Sequence, residues 1–309
     1  MKKLPQFLLT VAMLLSANLA RAYDVKVDGI CYNLDKYERT ARVTEGNQEC
    51  EGDIVIPSVI SNDGTDYTVT GISYDAFKNS QISKITIPNT VLFISDNAFE
   101  SCKNLRSVEI PASVMSIGNG AFKETALTRV DIPNSITEIL GNTFAYCSDL
   151  EEVILPNTIT LIGGNAFYGC TKLKKIEIPN SIWTIGSLAF SGCKDLKEVY
   201  VYWDQPLLDS ETIFDEEYIC DATLYVPQGS TSAYKQEAPW NSFGKIVEYF
   251  PGAVENINSD SRDLPCEAFN LTGVRVAEAE NLGLLEKMLD KGIYVVRFSD
   301  GNNRKLIVE

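Results

Sequence analysis

A phenylalanine returns along this chain at a near-constant period: Phe77, Phe99, Phe122, Phe144, Phe167 and Phe190, in steps of 22 or 23 residues. A proline follows five of them at a fixed distance, as Pro88, Pro111, Pro133, Pro156 and Pro179. A repeat of this length marks a solenoid, and it outranks any local propensity. One such unit cannot bury its own apolar side, so its neighbours must do so.

One copy shows how the coil is written. Leu173, Ile176 and Ile178 open it. Ile176, Glu177 and Ile178 alternate apolar, polar, apolar, as a short strand with one buried face does. Pro179 ends that strand because it has no N–H to give to a ladder. Ile182 and Ile185 return to the core in a second extended segment, Gly186 allows a bend, and Ala189 and Phe190 lie over the end of the coil. Stacking places equivalent residues about 4.8 Å apart, which turns the phenylalanines and the isoleucines into internal ladders. The glycine column reads Ser73, Ser95, Gly118, Leu140, Gly163, Gly186. Leu140 breaks it and Gly141 follows, which predicts a bend shifted by one residue. Ser80 and Thr125 stand where other copies have cysteine, in loops one residue shorter, which predicts a small local irregularity.

The words IPNTVLFISDNAFESCKNLRSVEIPASVMSIGNGAF and IPNTITLIGGNAFYGCTKLKKIEIPNSIWTIGSLAF resemble the leucine-rich repeats of the BspA-like surface proteins of Bacteroides and its relatives. The resemblance spans roughly Ile54 to Tyr249. It implies a mainly β fold: a leucine-rich repeat solenoid with capping segments and a small C-terminal β module. It also implies cell-surface adhesion or protein binding. The matching residues are mostly core residues, so they specify a scaffold and say little about a ligand.

The opening MKKLPQFLLTVAMLLSANLARA has a basic start, a short apolar run and an Ala20-Arg21-Ala22 cleavage pattern. It reads as a secretory signal peptide over residues 1–22, with an apolar run too short to span a bilayer. The expected location is therefore exported: cell surface, outer membrane-associated or extracellular. Without that segment the chain keeps 24 basic against 42 acidic side chains, a net charge of about −18. Nucleic acid is excluded as a partner, because phosphate contacts need clustered Lys or Arg.

Histidine is absent, which removes the usual general base and the commonest metal ligand. Paired carboxylates remain as a route to glycoside hydrolysis, but Asp215, Glu216 and Glu217 are adjacent in one loop. A glycosidase needs two carboxyl groups held apart around a sugar bond. No enzyme, cofactor or metal site is expected. Cys102, Cys147, Cys170 and Cys193 sit at one repeat position and read as a spine of buried thiols. A line of thiols pointing the same way suits neither zinc, whose ligands converge, nor disulfides, whose Cβ vectors face each other. Cys31 and Cys50 are close enough in sequence to bridge an N-terminal hairpin; Cys220 and Cys266 cannot be paired from spacing.

Four segments follow from the pattern: the signal peptide; an N-terminal cap over residues 23–70, with a hairpin at Asp28-Gly29; the solenoid and its C-terminal cap over 71–250; and a linker with a small β module over 251–309, resembling modules some of which sort exported proteins to the surface. Phe214 reads as the last rung, with Trp240, Phe243 and Ile246 sealing the open end. Within each first strand the polar residue faces outward, in a column Thr86, Glu109, Asp131, Ile154, Glu177, Tyr200. Repeat faces form extended binding surfaces, and aromatic residues anchor interfaces. The candidate binding residues are Tyr200, Tyr202, Glu177 and Ile154. The expected partner is a host or bacterial surface protein, or a glycan. A structural spacer without a ligand is the alternative: an apolar patch on this face would favour binding and an evenly charged face a spacer.

Overall fold

A computed structural model describes residues 23–208, 212–249, 265–269, 275–290, 292–298 and 303–308. The signal segment, the polar stretch 250–264 and the turns expected at Thr272-Gly273 and Asp300-Gly301 lie outside the described residues.

The chain winds as a β-solenoid. Each copy gives one strand to a front sheet, two residues to a back sheet, and a run of turns on the third side. The front strands are Glu51–Val55, Gln81–Thr86, Ser107–Glu109, Arg129–Asp131, Glu152–Ile154, Lys175–Ile178, Glu198–Val201, Thr223–Pro227 and Lys245–Tyr249. The back strands include Phe93–Ile94, Ser116–Ile117, Glu138–Ile139, Leu161–Ile162 and Thr184–Ile185. Pairing between successive copies is parallel, with Ile176 opposite Val199 and Ile162 opposite Ile185.

The turn side carries the phenylalanine ladder. The rings of Phe77, Phe99, Phe122, Phe144, Phe167, Phe190 and Phe214 stack at centroid separations of 5.2–5.6 Å with planes within 18°. The backbone sets that spacing: Phe144 N–H donates to the Ala166 carbonyl at 2.8 Å, Phe167 N–H to Ala189 at 2.8 Å, and Phe190 N–H to Ile213 at 3.0 Å. The rings lie slightly further apart than the roughly 4.8 Å strand spacing, the offset arrangement that aromatic quadrupoles prefer.

The cysteine spine is present and has a polar duty besides filling space. Each thiol donates to the carbonyl of the phenylalanine one copy earlier: Cys102 to Phe77 at 3.0 Å, Cys147 to Phe122 at 3.1 Å, Cys170 to Phe144 at 3.2 Å and Cys193 to Phe167 at 3.3 Å. Ser80 and Thr125 occupy the same column and meet Cys102 and Cys147 at 3.3 and 3.2 Å. Burial pushes the Cys102 and Cys147 thiols up to about 11 and Cys193 to about 12. A thiol whose folded pKa exceeds its unfolded value of 9.0 adds stability below pH 9, and that contribution is lost as pH rises through the folded pKa. Alkylation of the native protein at pH 8 should therefore modify the exposed Cys220 and spare these four until the chain unfolds. Mass spectrometry of labelled peptides checks this, and native labelling of Cys193 would count against the spine. Cys31, Cys50, Cys220 and Cys266 are all free thiols, so the Cys31–Cys50 bridge does not form in this structure.

The glycine column is steric. A Cβ on Gly118 would lie 2.3 Å from the Asp96 nitrogen, and one on Gly186 would lie 2.3 Å from the Gly164 nitrogen. Leu140 brings a side chain to this column, and the back sheet divides there: Ser116–Ile117 ends one sheet and Glu138–Ile139 begins the next. The irregularity is thus a break between copies, with Ile139 still in register with Ile162.

Both ends are closed as their sequences suggest. Val25–Val27 and Ile30–Asp35 form an antiparallel hairpin, with Asp28 and Gly29 at φ of 47° and 84°; two positive φ angles fit the twist of a two-residue hairpin. At the other end Phe214 meets Trp240 and Phe243 edge-on at 5.9 and 5.4 Å. Trp240 is fully buried and its indole N–H donates to the Leu207 carbonyl at 3.2 Å. The helical part of this cap is short, Thr231–Tyr234 with a 3-10 turn at Trp240–Ser242.

The C-terminal block is a four-stranded antiparallel sheet in the order Arg275–Ala279, Cys266–Phe269, Gly292–Phe298, Asn303–Val308. The stretch that sequence left between loop and helix is the helix Leu282–Met288, capped by the Asn281 side chain, which accepts the Leu284 N–H at 3.0 Å. Its own small core contains Cys266, Ala268, Leu282, Leu285 and Val296.

Candidate binding face

Period-two alternation places the column Thr86, Glu109, Asp131, Ile154 and Glu177 on the solvent side of the front sheet, all exposed, with Tyr200 half-buried at its end. The ladders Asp131–Ile154 and Glu177–Tyr200 confirm the register. All four residues singled out from sequence therefore face the same side.

Tyr202, Glu177 and Tyr200 belong to one connected cluster. Tyr202 OH donates to Glu177 Oε2 at 2.8 Å, and Lys175 Nζ pairs with Glu177 Oε1 at 2.8 Å while sitting 4.6 Å above the Tyr200 ring. On its other side Tyr200 stacks with Tyr225, centroids 4.2 Å apart and planes within 5°. Tyr249 closes the cluster edge-on, 5.4 Å from Tyr200 and 5.7 Å from Tyr202. Burial raises the phenol pKa of Tyr200, Tyr202 and Tyr249 above the ordinary value, and the neighbouring carboxylates of Glu198 and Glu177 add to the effect at Tyr200 and Tyr202. These hydroxyls stay protonated donors at any physiological pH.

Tyr225, Tyr249 and Lys175 were not among the residues chosen from sequence. Tyr225 continues the outward column, since it pairs with Tyr200. The step from Tyr200 to Tyr225 is 25 residues, and that longer step hid it inside what read as cap.

Ile154 marks the second part of the face. It is 43% exposed, between two carboxylate positions of the column. Beside it the front sheet divides: Glu152–Ile154 ends one sheet and Lys175–Ile178 begins the next. A hollow of about 410 Å³ lies there, lined by Val153, Ile154 and Leu155 and flanked by Glu151, Glu152, Lys174, Lys175 and Glu177. Around it the charges are matched across copies: Arg129 bridges Asp131 and Glu152, Lys172 pairs with Asp149 at 2.6 Å, and Lys174 with Glu151 at 2.7 Å.

The adjacent acids of the cap are structural. Asp215 accepts the Ser191 hydroxyl and the Gly192 N–H, both at 2.7 Å, and so ties the cap to the last phenylalanine turn. Glu216 accepts from Ser242 at 3.3 Å. Neither arrangement sets two carboxyl groups across a cleft. Among the described residues no helix is long and apolar enough to cross a membrane.

Residues 70–197 match the family model described as the BspA type leucine rich repeat region, in 6 copies. No curated protein matches the chain. Among solved structures it is similar to a leucine-rich repeat protein from Bacteroides ovatus, at 22% identity over 74% of this chain and 77% of that one, with a TM-score of 0.44. It is similar to a leucine rich cell surface protein from Faecalibacterium prausnitzii at 22% identity over 72% of each chain, TM-score 0.47. A leucine rich repeat protein of T. pallidum gives 19% identity over 73% of this chain and 83% of that one, TM-score 0.38.

Proposed function

Since residues 70–197 belong to the BspA-type leucine-rich repeat family, we propose that this chain is an exported, surface-displayed binding protein whose front sheet docks a protein partner. The carrying observation is the exposed Ile154 beside an apolar-floored hollow, continuous through Glu177 and Lys175 with the tyrosine cluster. Hot spots of protein interfaces are buried aromatic or apolar anchors that fill pockets. A hollow floored by Val153 and Leu155 is a place for one from the partner.

The same geometry favours protein over glycan on this face. A sugar stacks on a free ring face. Tyr200 has Tyr225 on one face and the Lys175 ammonium over its ring. What this cluster offers outward is ring edges, which suit side-chain contacts. The scaffold role of the repeats leaves no catalytic group to name.

Residues 23–309 displayed against immobilised extracellular-matrix and bacterial surface proteins test the reading. We expect a saturable protein ligand, and Ile154→Glu should weaken it by about 2 kcal/mol or more, on the order of thirtyfold, with an unchanged melting temperature because the side chain is already exposed. Binding that survives Ile154→Glu moves the site off this face. No saturable ligand from a folded chain favours the spacer, to which the matched ion pairs around Arg129, Lys172 and Lys174 are suited.

A further inference from the structure

The turn side holds a second surface that the repeat pattern does not require. Each copy places two residues in the left-handed backbone region there, two before and two after the phenylalanine. The first position is Asn97, Asn142 and Asn165 in three copies, at φ of 55–58°. The second is Gly169 and Gly192 in the last two copies, at 72° and 75°. Asparagine and glycine are the residues that tolerate this region. Tyr146 takes the second position in the copy before them, at φ of 60°, with 51% of its surface exposed. A bulky residue held in strained backbone and left in water asks for a use.

The surroundings of Tyr146 make it a platform. Its ring lies over Gly169: a Cβ there would be 3.1 Å from Cδ1 and 3.6 Å from Cε1. The next copy is also bare, since a Cβ on Gly192 would lie 3.1 Å from the Gly169 Cα. One ring face thus rests on glycine backbone. Tyr168 stands edge-on at 5.2 Å and 73°, and Leu188, 39% exposed and also at φ of 60°, borders the same edge.

Charge changes along this edge. In the early copies Lys78 and Lys123 hold Glu100 at 2.7 and 2.9 Å. The later turns read Asn142-Thr-Phe-Ala-Tyr146, Gly164-Asn-Ala-Phe-Tyr-Gly169 and Ser187-Leu-Ala-Phe-Ser-Gly192, with no charged side chain. Asn142 and Asn165 supply amide donors and acceptors within the same turns.

We propose that the Tyr146 shelf is a carbohydrate-stacking site for neutral hexose chains, separate from the front face. Tyr146 takes the apolar face of a sugar ring, Gly169 and Gly192 let the next sugar lie close to backbone, and the Asn142 and Asn165 amides with the Tyr168 hydroxyl meet the sugar hydroxyls. The absence of a basic side chain on these turns and the chain's net charge of −15 select against anionic glycans.

The test is an NMR titration of residues 23–309 with neutral oligosaccharides of glucose, mannose and galactose in turn. We expect saturable binding of at least one, retained in Tyr146→Phe. Tyr146→Asn should weaken it by about tenfold or more while the melting temperature holds or rises, because asparagine accepts this backbone region. Ile154→Glu should leave sugar binding unchanged, so the two surfaces stand or fall separately. The proposal is overturned if none of the three sugars saturates, if Tyr146→Asn binds as well as the parent, or if Ile154→Glu weakens sugar binding equally.

Discussion

Phe144→Ala should lower stability by about 3–5 kcal/mol, the range for removing a fully enclosed aromatic side chain. Phe144 is 0% exposed and stacks between Phe122 at 5.6 Å and Phe167 at 5.4 Å. The hole cannot collapse easily. Neighbouring copies are held at their spacing by backbone hydrogen bonds such as Phe122 N–H to Thr143 and Phe144 N–H to Ala166, so the flanking rings cannot close the gap without breaking those bonds. Denaturant melts of parent and variant measure the loss as a shifted midpoint with an unchanged slope. A cost below about 1 kcal/mol would mean that the site relaxes and that the ladder is not a rigid stack.

Trp240→Ala should be of similar size, about 3–5 kcal/mol, and should also change how the protein associates. Trp240 is the lid of the coil. It contacts Phe214 at 5.9 Å, Tyr234 at 5.9 Å and Trp203 at 6.1 Å, all at steep angles. Without it the last rung of the ladder meets water, and the Leu207 carbonyl loses the indole N–H. A solenoid with an open apolar end joins other open ends, because terminal repeats need a closing surface for solubility. Light scattering after size exclusion should show self-association of the variant at concentrations where the parent is monodisperse. A variant as stable and as dispersed as the parent would show that Phe243 and Tyr234 seal the end alone.

The interior was legible in the sequence because stacking makes one rule hold in every copy. Phe77 to Phe190 share one environment, so their period announces it, and the cysteine column follows the same logic. Column breaks were visible as letters but not as consequences. Leu140 was read as a shifted bend, whereas the contact distances at Gly118 and Gly186 show why a side chain there parts two copies. The thiol-to-carbonyl bonds were not visible, since a backbone acceptor one copy away leaves no mark in the residue pattern.

The candidate face was legible only in part, for the same physical reason. Outward residues are free to vary, so no period marks them. Tyr200, Tyr202, Glu177 and Ile154 came from alternation within strands. Tyr225 and Tyr249 depend on how the cap strands Thr223–Pro227 and Lys245–Tyr249 join the front sheet, which the longer spacing concealed. Tyr146 was hidden differently: its meaning lies in a left-handed φ and in the missing Cβ of Gly169.

The central claim is that the repeats build a scaffold and that the unrepeated front-face side chains bind. Hydrogen–deuterium exchange of residues 23–309, free and saturated with the protein ligand captured on the array, tests it most directly. The account predicts slowed exchange in peptides covering Glu152–Ile154, Lys175–Ile178 and Glu198–Tyr202, with the turn peptides around Phe99 and Phe122 unchanged. Protection confined to the back strands, the turns or residues 265–308, with the front strands unaffected, would contradict it.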